Sequence, residues 1–100
     1  MIKKYGFIFL SPNADPSEHR TVIETRGLAS ILVAVPEPSV AVSVAKALVA
    51  DGVDLIELCG AFGPIWASKV IEATEGTVPV GAVGFGPESV PRLAALLRDP

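Results

Sequence analysis

The feature that most constrains this fold is a repeated sequence pattern, in which a short apolar run is followed by a turn and then by a proline. Nearly continuous apolar runs are typical of strands that are covered on both faces in a parallel sheet. The prolines that follow suit the first turn of a helix, where the missing N–H group needs no partner. The repeated pattern therefore predicts successive βα units. The runs are Ile2–Leu10, Ser30–Val35, Val53–Cys59 and Val78–Phe85, and the prolines are Pro16, Pro38, Pro64 and Pro87.

Helical spacing of apolar residues follows three of these prolines. The segment after Pro38 is predicted as a helix that ends at Asp51-Gly52. Two further helices are predicted at about Pro64–Thr74 and Pro87–Arg98. The inward stripe of the first is expected to be Val40, Val44, Ala47, Leu48 and Ala50, with Lys46 outside. In the last one we expect Val90, Leu93, Ala94 and Leu97 to face the core.

The segment of residues 16–25 is ambiguous. Asp15-Pro16 suits a helix start, but the β-branched residues of Thr21–Thr25 favour a strand. With Arg26-Gly27 as the turn, this strand and Leu28–Val33 would form a β-hairpin. Both alternatives predict one α/β domain over residues 1–100, with a four- or five-stranded, mostly parallel sheet and three or four helices. Its arrangement would be a half-barrel or flavodoxin-like.

Composition and charge exclude several classes of protein. The net charge is −3, and the eight Lys and Arg residues form no cluster beyond Lys3-Lys4, so we expect no nucleic-acid partner. No apolar run reaches the roughly 18 residues of a membrane span, so we expect no membrane partner. A single cysteine forms no internal disulfide, which favours the cytoplasm.

The apolar content is high for so short a chain. Half of the 100 residues are hydrophobic, and a small domain has much surface relative to its volume. Some apolar side chains must therefore stay exposed or meet another subunit. We expect a homo-oligomer, most simply a dimer.

The tripeptide Phe-Gly-Pro occurs twice, each time where a predicted strand gives way to a helix. Helix N-termini offer unpaired N–H groups and a positive dipole end, which suit a phosphate or a carboxylate. Alternatively, Gly-Pro is simply favourable chemistry for a helix start. The candidate ligand-binding residues here are Gly60, Phe62, Gly63, Gly84, Phe85 and Gly86.

Glu57 and Cys59 are candidate catalytic residues in the third apolar run. A carboxylate in a strand that is buried on both faces needs a partner or shifts its pKa upwards, and such groups concentrate at functional sites. Alternatively, Glu57 forms a structural ion pair with Arg20, Arg26 or a lysine, or it is exposed at a subunit boundary. Strand alternation places Cys59 on the same face as Glu57. A nearby helix N-terminus would make its thiol nucleophilic, although a lone cysteine also suits a core.

His19, the only histidine, is the third candidate catalytic residue. It could act as a general acid or base, or it could be an ordinary surface histidine. Ser11 and Asn13 follow the first predicted strand and could bind a ligand, although such residues are common in turns. With one histidine we expect no His-rich metal site, and no motif points to a cofactor.

Several of these motifs together resemble a known family. They include Phe7-Ile8-Phe9-Leu10-Ser11-Pro12, Glu18-His19-Arg20, Val22-Ile23-Glu24-Thr25, Asp54-Leu55-Ile56-Glu57-Leu58-Cys59-Gly60 and Gly81-Ala82-Val83-Gly84-Phe85-Gly86-Pro87. Nearly the whole chain resembles a small family of bacterial single-domain proteins of unknown function, which implies no activity. A weaker likeness is to βα units of phosphate-binding TIM barrels, and a fold-level analogy does not imply function.

Two functions are open from the sequence. The first is a cofactor-free enzyme that acts on a small anionic metabolite by proton transfer, as an isomerase or a lyase does. Glu57 would be its base, and His19 or Cys59 the partner group. The second is a non-catalytic protein that binds a small ligand or assembles into an oligomer.

Overall fold

Five strands form one mixed sheet in the order β2-β3-β1-β4-β5. The computed structural model describes residues 1–98. β1 is parallel to β3 and β4, β4 is parallel to β5, and only β2 runs antiparallel to its neighbour β3. The predicted α/β class with a mostly parallel sheet is confirmed. The elements are β1 (Lys4–Leu10), β2 (Arg20–Thr25), β3 (Leu28–Val35), α1 (Val40–Ala50), β4 (Leu55–Leu58), α2 (Gly63–Ala73), β5 (Val80–Ala82), a 3-10 turn η1 (Pro87–Ser89) and α3 (Val90–Arg98).

None of the helices found in residues 1–98 is long and apolar enough to cross a membrane.

The ambiguous segment is a strand. Its β-branched residues lie in β2, which pairs with β3 from Arg20–Val33 to Thr25–Leu28. Gly27 closes the hairpin with φ of 91°, a conformation that glycine adopts without steric cost. The chain therefore passes from β1 to β3 by extending the sheet, and no helix lies between these two strands.

The helices α1 and α2 share one face of the sheet. Each belongs to a crossover that steps in the same direction, from β3 over β1 to β4 and then to β5. Right-handed crossovers in one direction place their helices on one side, and α1 and α2 contact each other there. The core between the helices and the sheet consists mainly of Ile8, Val33, Val35, Ile56, Leu58, Ala41, Ala45, Leu48 and Val70.

Small side chains allow α1 to lie close to the sheet. The buried residues of α1 are Ala41, Ala45 and Leu48, whereas Ala47 and Ala50 of the predicted stripe are exposed. Beneath the helix, a Cβ atom on Gly6 would lie 3.1 Å from Leu48 Cδ1. The buried stripe is therefore rotated from the predicted one so that alanines face the strands.

The opposite side of the sheet, which we call the open face, consists of the alternate strand residues that include Tyr5, Phe7, Phe9, Ile23, Leu32 and Glu57. The three aromatic residues of β1 are half-buried, and Ile23 and Glu57 are exposed. None of the described helices covers this face. The apolar runs predicted strands that are covered on both faces of the sheet. Within a single chain, this prediction is wrong for the open face.

The C-terminal helix differs most from prediction. A 3-10 turn occupies Pro87–Ser89, so α3 begins at Val90 and Pro91 falls in its first turn, where a missing N–H group breaks no helical hydrogen bond. Val90 is 52% exposed and Leu97 78% exposed, and neither faces the core as expected. Among the described elements, η1 is the one that α3 contacts extensively.

We expect Leu48→Ala to destabilise the protein by about 2–5 kcal/mol, because it removes a fully buried side chain from the sheet-facing side of α1 and leaves a cavity. Urea unfolding followed by circular dichroism measures the change. Ile65→Ala on the exposed side of α2 is the control, since Ile65 is 70% exposed, and it should change stability by less than about 0.5 kcal/mol. Equal effects of the two substitutions would contradict the packing described for α1.

Candidate functional site

A cleft of about 610 Å³ opens on the open face, where β1 ends and β2 begins. Its floor is formed by Phe9, Leu32 and Ala34, which are neighbours across β1 and β3. The loop between β1 and β2 forms its rim. This volume is within the usual range for a small-molecule site, and an apolar floor with a polar rim is the usual composition of one.

The rim loop is held in shape around Asp15. The Oδ1 atom of Asp15 accepts hydrogen bonds from the backbone N–H of Ser17 at 2.9 Å and from its hydroxyl at 2.7 Å. These bonds, the one from the hydroxyl first, lower the pKa of Asp15. The Asp15 carbonyl also accepts from the backbone N–H of His19 at 2.7 Å. The loop therefore has a defined shape although its residues are largely exposed.

The ring of His19 is tied to the same loop. Its Nδ1 atom accepts a hydrogen bond from the backbone N–H of Asp15 at 2.8 Å. Nδ1 must then be unprotonated, so the neutral ring carries its proton on Nε2. A general base working through Nε2 needs its proton on Nδ1, so that Nε2 is free to accept, and this tautomer would break the bond from Asp15. In this arrangement the ring has a hydrogen-bond donor at Nε2.

Ser11, Asn13 and His19, which were predicted from the sequence, lie together at the cleft. Asn13 adopts a left-handed conformation with φ of 66°, which asparagine tolerates better than most residues. Sequence reasoning missed Glu18 and Arg20, which also line the cleft. Arg20 is the first residue of the edge strand β2 and lines the cleft, although it pairs with Val33, which faces the helices. The signal that could have identified Glu18 and Arg20 is their position on either side of His19 in the sequence.

Glu57 lies elsewhere on the open face and is exposed rather than buried. Its partner is Tyr5, whose hydroxyl donates a hydrogen bond to Oε1 at 2.7 Å, and not one of the predicted cations. Burial first, and then the hydrogen bond and negative charge of Glu57, raise the pKa of Tyr5 to about 12. A smaller hollow of about 220 Å³ beside Glu57 is lined by Gly81, Ala82 and Val83.

Cys59 is separate from both places. It follows the last residue of β4, and its half-buried side chain packs against the hydrophobic core. The backbone N–H of Leu10 donates a hydrogen bond to its sulfur at 3.4 Å. Alternation predicted that Cys59 would share a face with Glu57, but this alternation does not continue beyond Leu58, where the strand ends.

The two Phe-Gly-Pro turns do not form the predicted hollow with these groups. Phe62 is buried in the core, and Gly63 begins α2 with φ of 71°. A Cβ atom on Gly60 would lie 2.8 Å from the ring of Phe85, so this ring fills the space predicted for a ligand. Gly84 and Gly86 flank Phe85 in the connection to η1. The glycine at position 60 therefore accommodates an aromatic ring of the same chain.

Within residues 1–98, no three His, Cys, Asp or Glu side chains are close enough together to hold a metal ion.

Comparison with known proteins supports the resemblance seen in the sequence. A model of a family of unknown function, DUF6506, matches residues 3–98. The chain belongs to this family. No curated protein and no solved structure gives a match. The family assignment covers nearly all of the chain and transfers no activity to the cleft.

Tyr5 is the only tyrosine, so its ionisation can be followed by absorbance at 295 nm. We expect a single transition near pH 12 rather than near 10.0. Because the folded-state pKa is the higher one, the resulting stabilisation is complete below pH 10 and is lost as the pH rises towards 12. Glu57→Gln should lower the pKa of Tyr5 only part of the way towards 10.0, because burial is the larger cause of the raised value. Glu24→Gln on β2 is the control, and an unchanged transition in Glu57→Gln would contradict the pairing.

Proposed function

We propose that the protein binds a small molecule with an anionic group and an apolar body in the cleft at the end of β1. The observation that supports this proposal is the meeting of His19, Ser11 and Asn13 above a floor of Phe9 and Leu32. An apolar floor holds the body of a ligand, and a few fixed polar groups orient it.

The anionic group would be bound by the donors at the rim. His19 offers its Nε2–H group, Ser11 its hydroxyl and Asn13 its amide. Arg20 adds a positive charge, which Glu18 on the same rim partly offsets, and a planar set of donors that matches a carboxylate or a phosphate. Because the rim is exposed, this charge is screened by salt, and we expect modest affinity that falls as ionic strength rises.

The proton-transfer enzyme predicted from the sequence receives less support. Glu57, Cys59 and His19 lie at three separate places, and proton transfer needs acid and base groups within reach of one substrate. The hydrogen bond from Asp15 also occupies Nδ1 of His19, the atom that would carry the proton in a base working through Nε2. A neutral imidazole N–H can still polarise a carbonyl group of a bound ligand, and it does so without carrying a proton. Binding is therefore the function that the geometry favours, and the isomerase or lyase reaction stays a prediction.

We also propose that the protein works in the cytoplasm. Its single cysteine is free, and thiols remain reduced in that compartment.

Phenyl phosphate and benzoate are suitable probes because each joins an anionic group to an aromatic ring. We expect both to raise the melting temperature of the protein, whereas benzyl alcohol, which lacks the charge, should not. Arg20→Gln should weaken binding by about fivefold, or about 1 kcal/mol, in titration calorimetry. Arg26→Gln removes the same charge at the other end of β2 and is the matched control. Equal weakening by both substitutions would show that the effect is only one of overall charge.

The role of His19 is tested by substituting asparagine and alanine. In His19→Asn the amide oxygen takes the place of Nδ1 as acceptor for the Asp15 N–H group, while the Nε2–H donor is lost. We therefore expect His19→Asn to keep the melting temperature and to weaken binding of phenyl phosphate by about fivefold. His19→Ala should lower both. Unchanged binding in His19→Asn would contradict the proposed site.

A further inference from the structure

We propose that the open face of the sheet is covered by a second copy of this chain, whose helix α3 lies across it, and that the two copies do this reciprocally. Within residues 1–98, two apolar surfaces have no partner in the same chain, the open face and the outer side of α3. If each copy places its helix α3 on the open face of the other, both surfaces are covered and the assembly is a closed two-fold dimer.

The exposed area is larger than a monomer of this size should have. The chain of 10.4 kDa exposes 6568 Å², whereas a compact monomer of that mass exposes about 5,400 Å². Its radius of gyration is 14.1 Å, compared with about 13 Å for a compact chain of 100 residues. A stable interface buries about 800 Å² on each partner. The exposed area in excess of that of a compact monomer is therefore large enough for a stable dimer interface.

The open face has the composition of a buried interface. Tyr5, Phe7 and Phe9 form an aromatic ladder along β1, with ring centroids 6.4 and 6.0 Å apart. Among the strand residues of this face, Glu57 is the one with a charge, and it already accepts the hydrogen bond from Tyr5. Interface centres are depleted in charge and enriched in aromatic residues. Parallel strands also normally have both faces covered.

Helix α3 presents a matching surface. Val90, Leu93 and Leu97 recur at helical spacing and form an apolar stripe, and Val90 and Leu97 are largely exposed. Nine residues of helix are about 13 Å long, which suits the two ring-to-ring steps of the ladder. The structure thus contains a short amphipathic helix whose apolar stripe is largely exposed within the described residues.

Charge complementarity favours α3 as the covering element. Arg98 lies at the edge of the apolar stripe of α3, whereas Arg92 lies on the opposite side of the helix, and Glu57 is the charged residue of the open face. A second copy would bring opposite charges together at the edge of an otherwise apolar contact, which fixes orientation more than it adds affinity. Guanidinium groups also stack favourably on aromatic rings such as those of the ladder.

The proposal is tested by the mass of the protein in solution. Sedimentation or light scattering at 10–100 µM should give a dimer for the intact chain. Leu97→Asp in α3 and Phe7→Asp on the open face should each give a monomer. Ile65→Asp on the outer side of α2 introduces the same charge on another exposed apolar residue and should leave the dimer intact. Circular dichroism shows whether each variant is folded.

A charge exchange tests the orientation of α3. Glu57→Lys should weaken the dimer at least fivefold, and combining it with Arg98→Glu should restore most of the loss. Leu97 contributes nothing to the core of its own chain, so Leu97→Asp stays informative even where Phe7→Asp fails to fold. A monomeric intact chain, a Leu97→Asp variant that remains dimeric, or an assembly larger than a dimer would each overturn the proposal.

Discussion

The connection from β1 to β3 determines the rest of this structure. A helix in residues 16–25 would step across the sheet in the direction opposite to that of α1 and α2, and the right-handed rule would place it on the other face. The chain instead forms β2 there, which adds an antiparallel edge strand to the sheet. Both remaining crossovers then place their helices on the same side. The open face is a direct consequence of the β-branched residues Thr21, Val22, Ile23 and Thr25.

The two faces of the sheet are consequently packed in different ways. Under the helices, small residues such as Gly6, Ala41 and Ala45 allow close approach, and the buried aliphatic residues fill the remaining space. On the open face, large aromatic side chains stand beside one another and remain half-exposed. Aromatic side chains remove much apolar area from water when they are covered. The helix face therefore supplies the stability of the single chain, and the open face retains apolar area that a second chain or a ligand would bury.

The sequence predicted what local chemistry determines and missed what depends on register. The apolar runs and prolines located four of the five strands and two of the helices, because these signals act within one element. The pairing of Tyr5 with Glu57 depends on the alignment of β1 with β4, which no local pattern specifies. Cys59 was misplaced because alternation applies only within the strand, and β4 ends at Leu58. The apolar stripe of α3 was identified from the sequence. It was predicted to face the core of the same chain, and in the structure it is largely exposed.

The cleft and the open face have the same origin, and this links the two proposals physically. The loop that replaces a helix between β1 and β2 forms the rim of the cleft, and Phe9 belongs both to its floor and to the aromatic ladder. A helix that covers Phe9 and a ligand that rests on Phe9 need the same apolar surface. Binding of the ligand and association of two chains would then weaken each other by the same free energy, because such coupling is reciprocal. The strength of ligand binding would therefore depend on protein concentration, which neither surface would cause alone.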